Sequence, residues 1–113
     1  MSVPRYAVQR KFPRYSLDVR AKLCAGEQEI TVRTVDVSEG GLGLFSPVEI
    51  VDGSSFFIEF VFPTMQDVFR AEIVAASKTG FRYGFRFVQV DEKNMALLRR
   101  YQRRWGIRAT NPA

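Results

Sequence analysis

The feature that most constrains this chain is a set of short segments in which apolar and polar residues alternate one by one. The segment at 17–24 places Leu, Val, Ala and Leu on one side and Asp, Arg and Lys on the other. Comparable segments follow at 29–38, 56–62, 68–75 and 81–87. A period of two is that of a β-strand with one buried face, so we predict a strand at each of these places.

Turn-forming residues separate these segments. Gly, Pro or Asp occurs within each of the intervals 25–27, 38–41, 52–53, 63–67 and 78–80, and a short strand fits at 42–45. About six short strands joined by tight turns indicate an antiparallel barrel or sandwich. Closure into a barrel would protect the edges of Phe-rich strands. The last strand is expected to place one aromatic set on a single face, namely Phe81, Tyr83, Phe85 and Phe87.

The segment at 29–38 contains an irregularity. Its apolar positions are Ile30 and Val32, then Val35 and Val37, so the phase slips by one residue. A slip within a strand predicts a bulge or a bend, here near Arg33 and the threonine that follows it.

The C-terminal part changes to a helical period. Asp91 suits the N-cap of a helix, and Glu92 would lie in its first turn. One apolar stripe is predicted from the spacing of Met95, Leu98, Tyr101 and Trp105. Arginines gather towards the end, where the helix dipole favours cations, and Gly106 fits the position just past the helix. We expect this helix to pack against the barrel, with a partner protein as the alternative.

Composition narrows the classes of function. The 113 residues suffice for one domain, and the formal charge of +5 favours anionic partners such as nucleotides, nucleic acid or acidic lipid. The sequence has no His, which excludes Ser-His and Cys-His catalysis, so we expect neither an enzyme nor a metal site. The single cysteine, Cys24, allows no internal disulfide, and no apolar run of about 20 residues is present. We therefore expect a cytoplasmic protein without membrane insertion.

The first candidate motif is Arg10-Lys11-Phe12-Pro13-Arg14, at the end of an aperiodic basic segment. Pro13 biases the residue before it towards extended backbone. Two arginines spaced in this way can clasp an anion, because each guanidinium makes bidentate contacts to phosphate oxygens or to a guanine edge. The pattern alone fits a solvated basic tail equally well.

The second candidate motif is Asp36-Val37-Ser38-Glu39-Gly40-Gly41. Asp36 and Ser38 lie two residues apart on a strand, so their side chains share a face. The carboxylate can accept hydrogen bonds from guanine N–H groups, and the hydroxyl can bond a phosphate or a base edge. Gly41 can adopt a positive φ and leaves room for a ligand. A serine turn that merely closes a hairpin would also explain these residues.

Together, in this order and at this separation, the two motifs are far more specific, and the sequence resembles the PilZ domain family of cyclic di-GMP receptors. Arg10 and Arg14 match the family's R-x-x-x-R box, and the second motif matches its D/N-x-S-x-x-G turn. The resemblance extends over residues 10–105. It implies a six-stranded antiparallel β-barrel with a C-terminal α-helix. The domain would span 14–107, after a flexible arm at 1–13 and before a tail at 108–113.

The resemblance also implies a function. The chain would be a cyclic di-GMP-binding receptor or adaptor that changes conformation and signals to an unidentified downstream protein, as a monomer or a ligand-dependent dimer. The implied ligand-binding residues are Arg10, Lys11, Arg14, Asp36, Ser38, Gly40 and Gly41. Two alternatives stay open: a protein-interaction module of the same fold without a ligand, and a barrel for single-stranded nucleic acid. The last is disfavoured because the aromatic residues fall mainly on inward faces.

Overall fold

The computed structural model describes residues 12–109, which form seven strands and one helix. The strands are β1 (Tyr15–Ser16), β2 (Arg20–Ala25), β3 (Gln28–Ser38), β4 (Gly41–Phe45), β5 (Ser55–Val61), β6 (Val68–Thr79) and β7 (Arg82–Gln89). The helix is α1 (Glu92–Arg104).

The six longer strands close into an antiparallel barrel. Their order around the ring is β3-β2-β5-β6-β7-β4, and the pairing of β4 with β3 completes it. The two-residue strand β1 lies outside this ring, paired antiparallel with β3. The predicted six-stranded barrel with a C-terminal helix is thus confirmed, and closure leaves none of the six strands with a free edge along its whole length.

The predicted inward faces form one core. Its buried members from β2, β5 and β6 include Ala21, Leu23, Ile58, Phe60, Phe69, Ala71, Ile73 and Ala75. On β7 the aromatic face holds for Tyr83 and Phe85, which are buried, and Phe87 is partly buried. The prediction is wrong for Phe81, which is 80% exposed. Phe81 precedes β7 in the turn after Gly80, so the strand's alternation does not reach it.

The predicted phase slip in β3 is confirmed, and it lies directly after Thr34. The alternation continues through Thr34, which is buried and whose hydroxyl donates to the Leu17 carbonyl at 2.7 Å. The register against β4 shifts between Thr34 and Asp36, so Val35 is the extra residue of a bulge. Beyond it, Val37 points into the core and is fully buried. A bulge re-aims the side chains next to it, and here it turns Asp36 away from the barrel interior.

The N-cap of α1 is confirmed. Asp91 Oδ1 accepts from the backbone N–H of Asn94 at 2.8 Å and from its side-chain amide at 2.7 Å. The backbone hydrogen bond from Asn94 lowers the pKa of Asp91 below its usual value. The cap therefore favours folding above the ordinary pKa of aspartate, and this contribution is lost as the pH falls through the lowered value.

The predicted stripe of α1 is confirmed at Leu98 and Tyr101 but not at its two ends. The buried residues are Asn94, Leu97, Leu98 and Tyr101. Met95 is only partly buried, and Trp105 is 36% exposed. The reason is polar: Asn94 Oδ1 accepts from the backbone N–H of Arg70 on β6 at 2.7 Å. This bond places Asn94 on the buried face of the helix, and apolar spacing alone does not reveal it. Trp105 follows the last helical residue, so the helical spacing does not extend to it.

Aromatic rings join α1 to the barrel. Phe62, which follows β5, is 1% exposed and stacks on Tyr101 with ring centroids 4.8 Å apart. Its other neighbours are Phe60 at 4.9 Å and Phe69 at 5.4 Å, both edge-to-face. Phe62 is therefore the ring through which the helix and two strands share one core.

We expect Phe62→Ala to lower the free energy of unfolding by about 3–5 kcal/mol, since it removes a buried ring from this shared core. Phe81→Ala is the matched control, because it removes the same side chain from an exposed turn and should change stability by no more than about 0.5 kcal/mol. Urea unfolding, monitored by tryptophan fluorescence, measures the free energy of unfolding of both variants. Equal losses in the two variants would contradict the described packing.

Candidate functional site

The two sequence motifs meet on the outside of the barrel. Ser16 on β1 pairs with Asp36 on β3, and this pairing carries Arg14 to the same place. Arg14 Nη1 lies 3.5 Å from Asp36 Oδ2. Phe12 also reaches the second motif, because a Cβ placed on Gly40 would lie 3.4 Å from its ring. Residues of the first motif thus lie on the turn that the second motif forms.

Asp36 is the centre of this arrangement. It is 3% exposed, an unusual position for a carboxylate, and burying an unpaired charge would cost several kcal/mol by common estimates. Its Oδ2 accepts from Arg82 Nη2 of β7 at 2.6 Å, in addition to the contact with Arg14. Its Oδ1 is buried and has no hydrogen-bond partner among residues 12–109. Oδ2 is thus paired with two guanidinium groups, and Oδ1 can still accept a hydrogen bond.

Gly43 makes the bond between Asp36 and Arg82 possible. It lies on β4, between Asp36 of β3 and Gly84 of β7. A Cβ at Gly43 would lie 2.8 Å from Asp36 Oδ1 and 3.2 Å from Arg82 Nη2. Any side chain there would therefore crowd both members of the ion pair, so glycine lets the guanidinium cross β4.

Ser38 organises the turn that follows Asp36. Its Oγ accepts from the Gly40 N–H at 3.1 Å and donates to the Gly41 carbonyl at 3.4 Å. The hydroxyl is thus engaged within the turn, as the hairpin interpretation of the sequence foresaw, and it is half-buried beside Asp36.

The predicted positive φ of Gly41 is wrong. It does not adopt a positive φ. Instead, a Cβ at this position would overlap the backbone carbonyl of Phe85 on β7. The glycine therefore serves the close approach of β4 to β7, and this approach positions the end of the turn.

Of the seven sequence-predicted site residues, the structure brings together five. Arg14, Asp36, Ser38, Gly40 and Gly41 lie at the junction of β1, β3 and β4. The other two, Arg10 and Lys11, lie outside the described residues, as does most of the predicted arm.

Sequence reasoning missed two contributors, Arg82 and Gly43. An arginine 46 residues from its carboxylate partner leaves no local signal, because only the order of strands in the barrel makes them neighbours.

The described residues were also compared with the requirements of a metal site and of a membrane-spanning helix. Between residues 12 and 109, no group of three or more His, Cys, Asp or Glu side chains is arranged to hold a metal ion. In the same part of the chain, no helix combines the length and the apolar character that crossing a membrane requires.

Comparison with known families agrees with this geometry. The PilZ domain family matches residues 8–104, which is most of the chain. The protein therefore belongs to the PilZ domain family. A search of curated protein sequences finds no match.

Solved structures share the fold. The Bacillus subtilis inhibitor of motility, MotI (DgrA), is 17% identical with a TM-score of 0.69, over 85% of this chain and 51% of that one. The PilZ domain of YcgR from Escherichia coli, solved with c-di-GMP, is 20% identical with a TM-score of 0.59, over 84% of this chain and 95% of that one. The YcgR complex with c-di-GMP is 24% identical with a TM-score of 0.67, over 80% of this chain. This chain spans about half of the MotI chain and 43% of that YcgR chain.

We expect Arg82→Ala to lower the free energy of unfolding by about 1–3 kcal/mol, because it removes the shorter of two ion pairs from a buried carboxylate. Arg86→Ala is the control: it deletes the same charge from an exposed position on the same strand and should have little effect. In the Asp36→Ala background the cost of Arg82→Ala should disappear. Urea denaturation of the four variants measures this coupling, and an unchanged cost in that background would contradict it.

Proposed function

We propose that this protein is a receptor for cyclic di-GMP and acts by binding rather than by catalysis. The observation that carries the proposal is the meeting of Arg14 and Asp36, which lie 22 residues apart in sequence and 3.5 Å apart in space. It joins an anion-binding residue to a buried carboxylate that has a free acceptor lobe. The proposed binding residues are Arg10, Lys11, Arg14, Asp36, Ser38, Gly40 and Gly41.

The chemistry of the ligand fits these groups. Cyclic di-GMP carries two phosphodiester charges and two guanines. Arginine suits both, since its planar fork pairs with phosphate oxygens and with the guanine O6 and N7 edge. A carboxylate suits the opposite edge of guanine, whose N1 and N2 groups are donors. Asp36 Oδ1 has no partner among the described residues, so a guanine donor would satisfy it.

Arg82 gives Asp36 a fixed orientation in this proposal. Its Nη2 binds Oδ2 from the β7 side, which leaves Oδ1 for the ligand. Arg14 lies farther from the Asp36 carboxylate than Arg82 does, at 3.5 Å against 2.6 Å. We therefore propose that Arg14 turns to the ligand's phosphates on binding while Arg82 stays on the carboxylate.

Family membership supports the proposal. Two of the structural neighbours, the isolated PilZ domain of YcgR and the longer YcgR chain, were solved with c-di-GMP. The energetic requirement is modest as well. Micromolar affinity needs roughly 8 kcal/mol. A charge-assisted hydrogen bond contributes about 1.5–3 kcal/mol, so a few such bonds are sufficient.

We further propose that the arm orders on binding over residues 1–11, ahead of Phe12, which already lies beside Gly40, and that a downstream protein recognises the ordered state. Arg10 and Lys11 must reach a ligand held at Asp36, and fixing each backbone residue costs about 1–2 kcal/mol. Ligand contacts would offset that cost. An order–disorder transition of this kind gives a partner two distinct surfaces to distinguish.

Isothermal titration calorimetry with cyclic di-GMP tests the receptor proposal, with GTP and cyclic GMP as competitor controls. We expect saturable binding to the wild-type chain, and at least a ten-fold loss in Arg14→Ala, since two charge-assisted bonds are worth more than the roughly 1.4 kcal/mol of a ten-fold change. Arg103→Ala removes the same charge from an exposed helix position and should bind normally. No binding by folded wild-type protein at millimolar ligand would reject the proposal and favour the ligand-independent interaction module.

The ordering of the arm has its own test. Heteronuclear ¹⁵N relaxation should show fast motion for the amides of residues 1–11 in the free protein and restricted motion at saturating cyclic di-GMP. The amide of Gly53, in a distant loop and bonded to the Ala75 carbonyl at 2.9 Å, serves as the internal control. Equal rigidity of the arm in both states would contradict the proposed transition.

A further inference from the structure

The helix α1 and the residues just after it contact both ligand-binding motifs. The first contact is an extra strand-like pairing on the outer edge of β1. Ser16 N–H donates to the Ile107 carbonyl at 2.8 Å, and Ala109 N–H donates to the Arg14 carbonyl at 2.9 Å. Tyr15 and Arg108 form the β-bridge between these two bonds. Residues 107–109, called here the C-terminal segment, therefore hold the backbone of Arg14 itself.

The end of the helix reinforces this contact. Tyr101 Oη donates to the Ser16 carbonyl at 2.9 Å. Burial raises the pKa of Tyr101, which keeps the phenol protonated and able to donate. Gly106 leaves space for the ring of Tyr15, because a Cβ at position 106 would lie only 2.6 Å from Tyr15 Cδ2. The strand β1, which directly follows Arg14, thus lies between β3 and the C-terminal segment.

The second contact joins α1 to the turn of the second motif. Arg99 donates to Glu39 Oε1 from Nε at 3.2 Å and from Nη2 at 2.9 Å. Glu39 lies between Ser38 and Gly40, inside the turn. Arg99 and Glu39 are 60 residues apart, so this ion pair ties the helix to the other half of the candidate site.

We propose that α1 and the C-terminal segment position the two halves of the site, and that their docking and ligand binding are thermodynamically linked. This inference rests on the proposed function. Linkage is reciprocal: if the docked arrangement strengthens ligand binding, the bound ligand must stabilise the docked arrangement by the same factor. Arg99 and residues 107–109 are then positioning groups that touch no ligand.

The Glu39–Arg99 contact allows a test in which the linkage and simple electrostatics predict opposite changes in the affinity for cyclic di-GMP. Glu39→Ala removes a negative charge near a site for a dianion, so simple electrostatics makes cyclic di-GMP bind more tightly. The linkage makes it bind more weakly, by roughly three- to five-fold, the size of an exposed ion pair. Arg99→Ala should give the same loss, and the double variant should lose no more than either single one. Arg103→Ala, on the exposed face of the same helix, controls for the loss of one positive charge.

The C-terminal segment has a charge-neutral test. Ala109→Pro deletes the N–H that donates to the Arg14 carbonyl, and Ala109→Gly retains it. We expect the proline variant to bind cyclic di-GMP more weakly and the glycine variant to bind as wild type does. The melting temperature of each variant, measured without ligand, shows that the fold is intact.

Hydrogen exchange separates the linkage from a purely structural role of α1 and the C-terminal segment, because a purely structural role would not make their exchange rates depend on the ligand. Cyclic di-GMP should slow exchange of the Ser16 and Ala109 amides by the factor that the variants lose in affinity. The Gly53 amide, far from the site, should change less. Wild-type affinity in Glu39→Ala and Ala109→Pro, together with unchanged exchange at Ser16 and Ala109, would overturn the linkage alone. Absence of binding by the wild-type chain would instead overturn the proposed function on which it rests.

Discussion

The buried carboxylate of Asp36 is the interaction on which the rest of this site depends. A charge that is 3% exposed persists only if cations and donors surround it, and here Arg82 and Arg14 supply them. The surrounding backbone follows from that requirement. The bulge at Val35 turns the carboxylate outward, and Gly43 leaves the space through which Arg82 reaches it.

This arrangement links the stability of the barrel to the orientation of Asp36. Burying the Asp36 carboxylate is unfavourable, and the ion pair with Arg82 of the last strand offsets that cost. The candidate site is consequently built from β1, β3, β4 and β7, which are distant in sequence. A change in any of these strands would reach the proposed ligand-binding groups, and α1 joins them through Arg99 and the C-terminal segment.

The sequence predicts the fold well because strand alternation is a local property. The buried faces of β2, β5 and β6 and the N-cap at Asp91 follow from patterns only a few residues long. The errors occur where a distant contact overrides the pattern. Asn94 joins the buried face of α1 by bonding β6, and Arg82 contacts Asp36 only because β4 and β7 are neighbours. Motif spacing likewise indicates Gly41 but not its physical role, which is the close approach to β7.

The most direct test of ligand binding at Asp36 is an NMR titration of ¹⁵N-labelled protein with cyclic di-GMP that follows the arginine Nε–Hε signals and the backbone amides. We expect saturable shifts of the Arg14 side chain and of the amides at 36–41. We also expect the Arg82 side chain to stay bonded to Asp36 at saturation. Shifts confined to surfaces away from β1 and the 38–41 turn, or none at saturating ligand, would contradict ligand binding at Asp36.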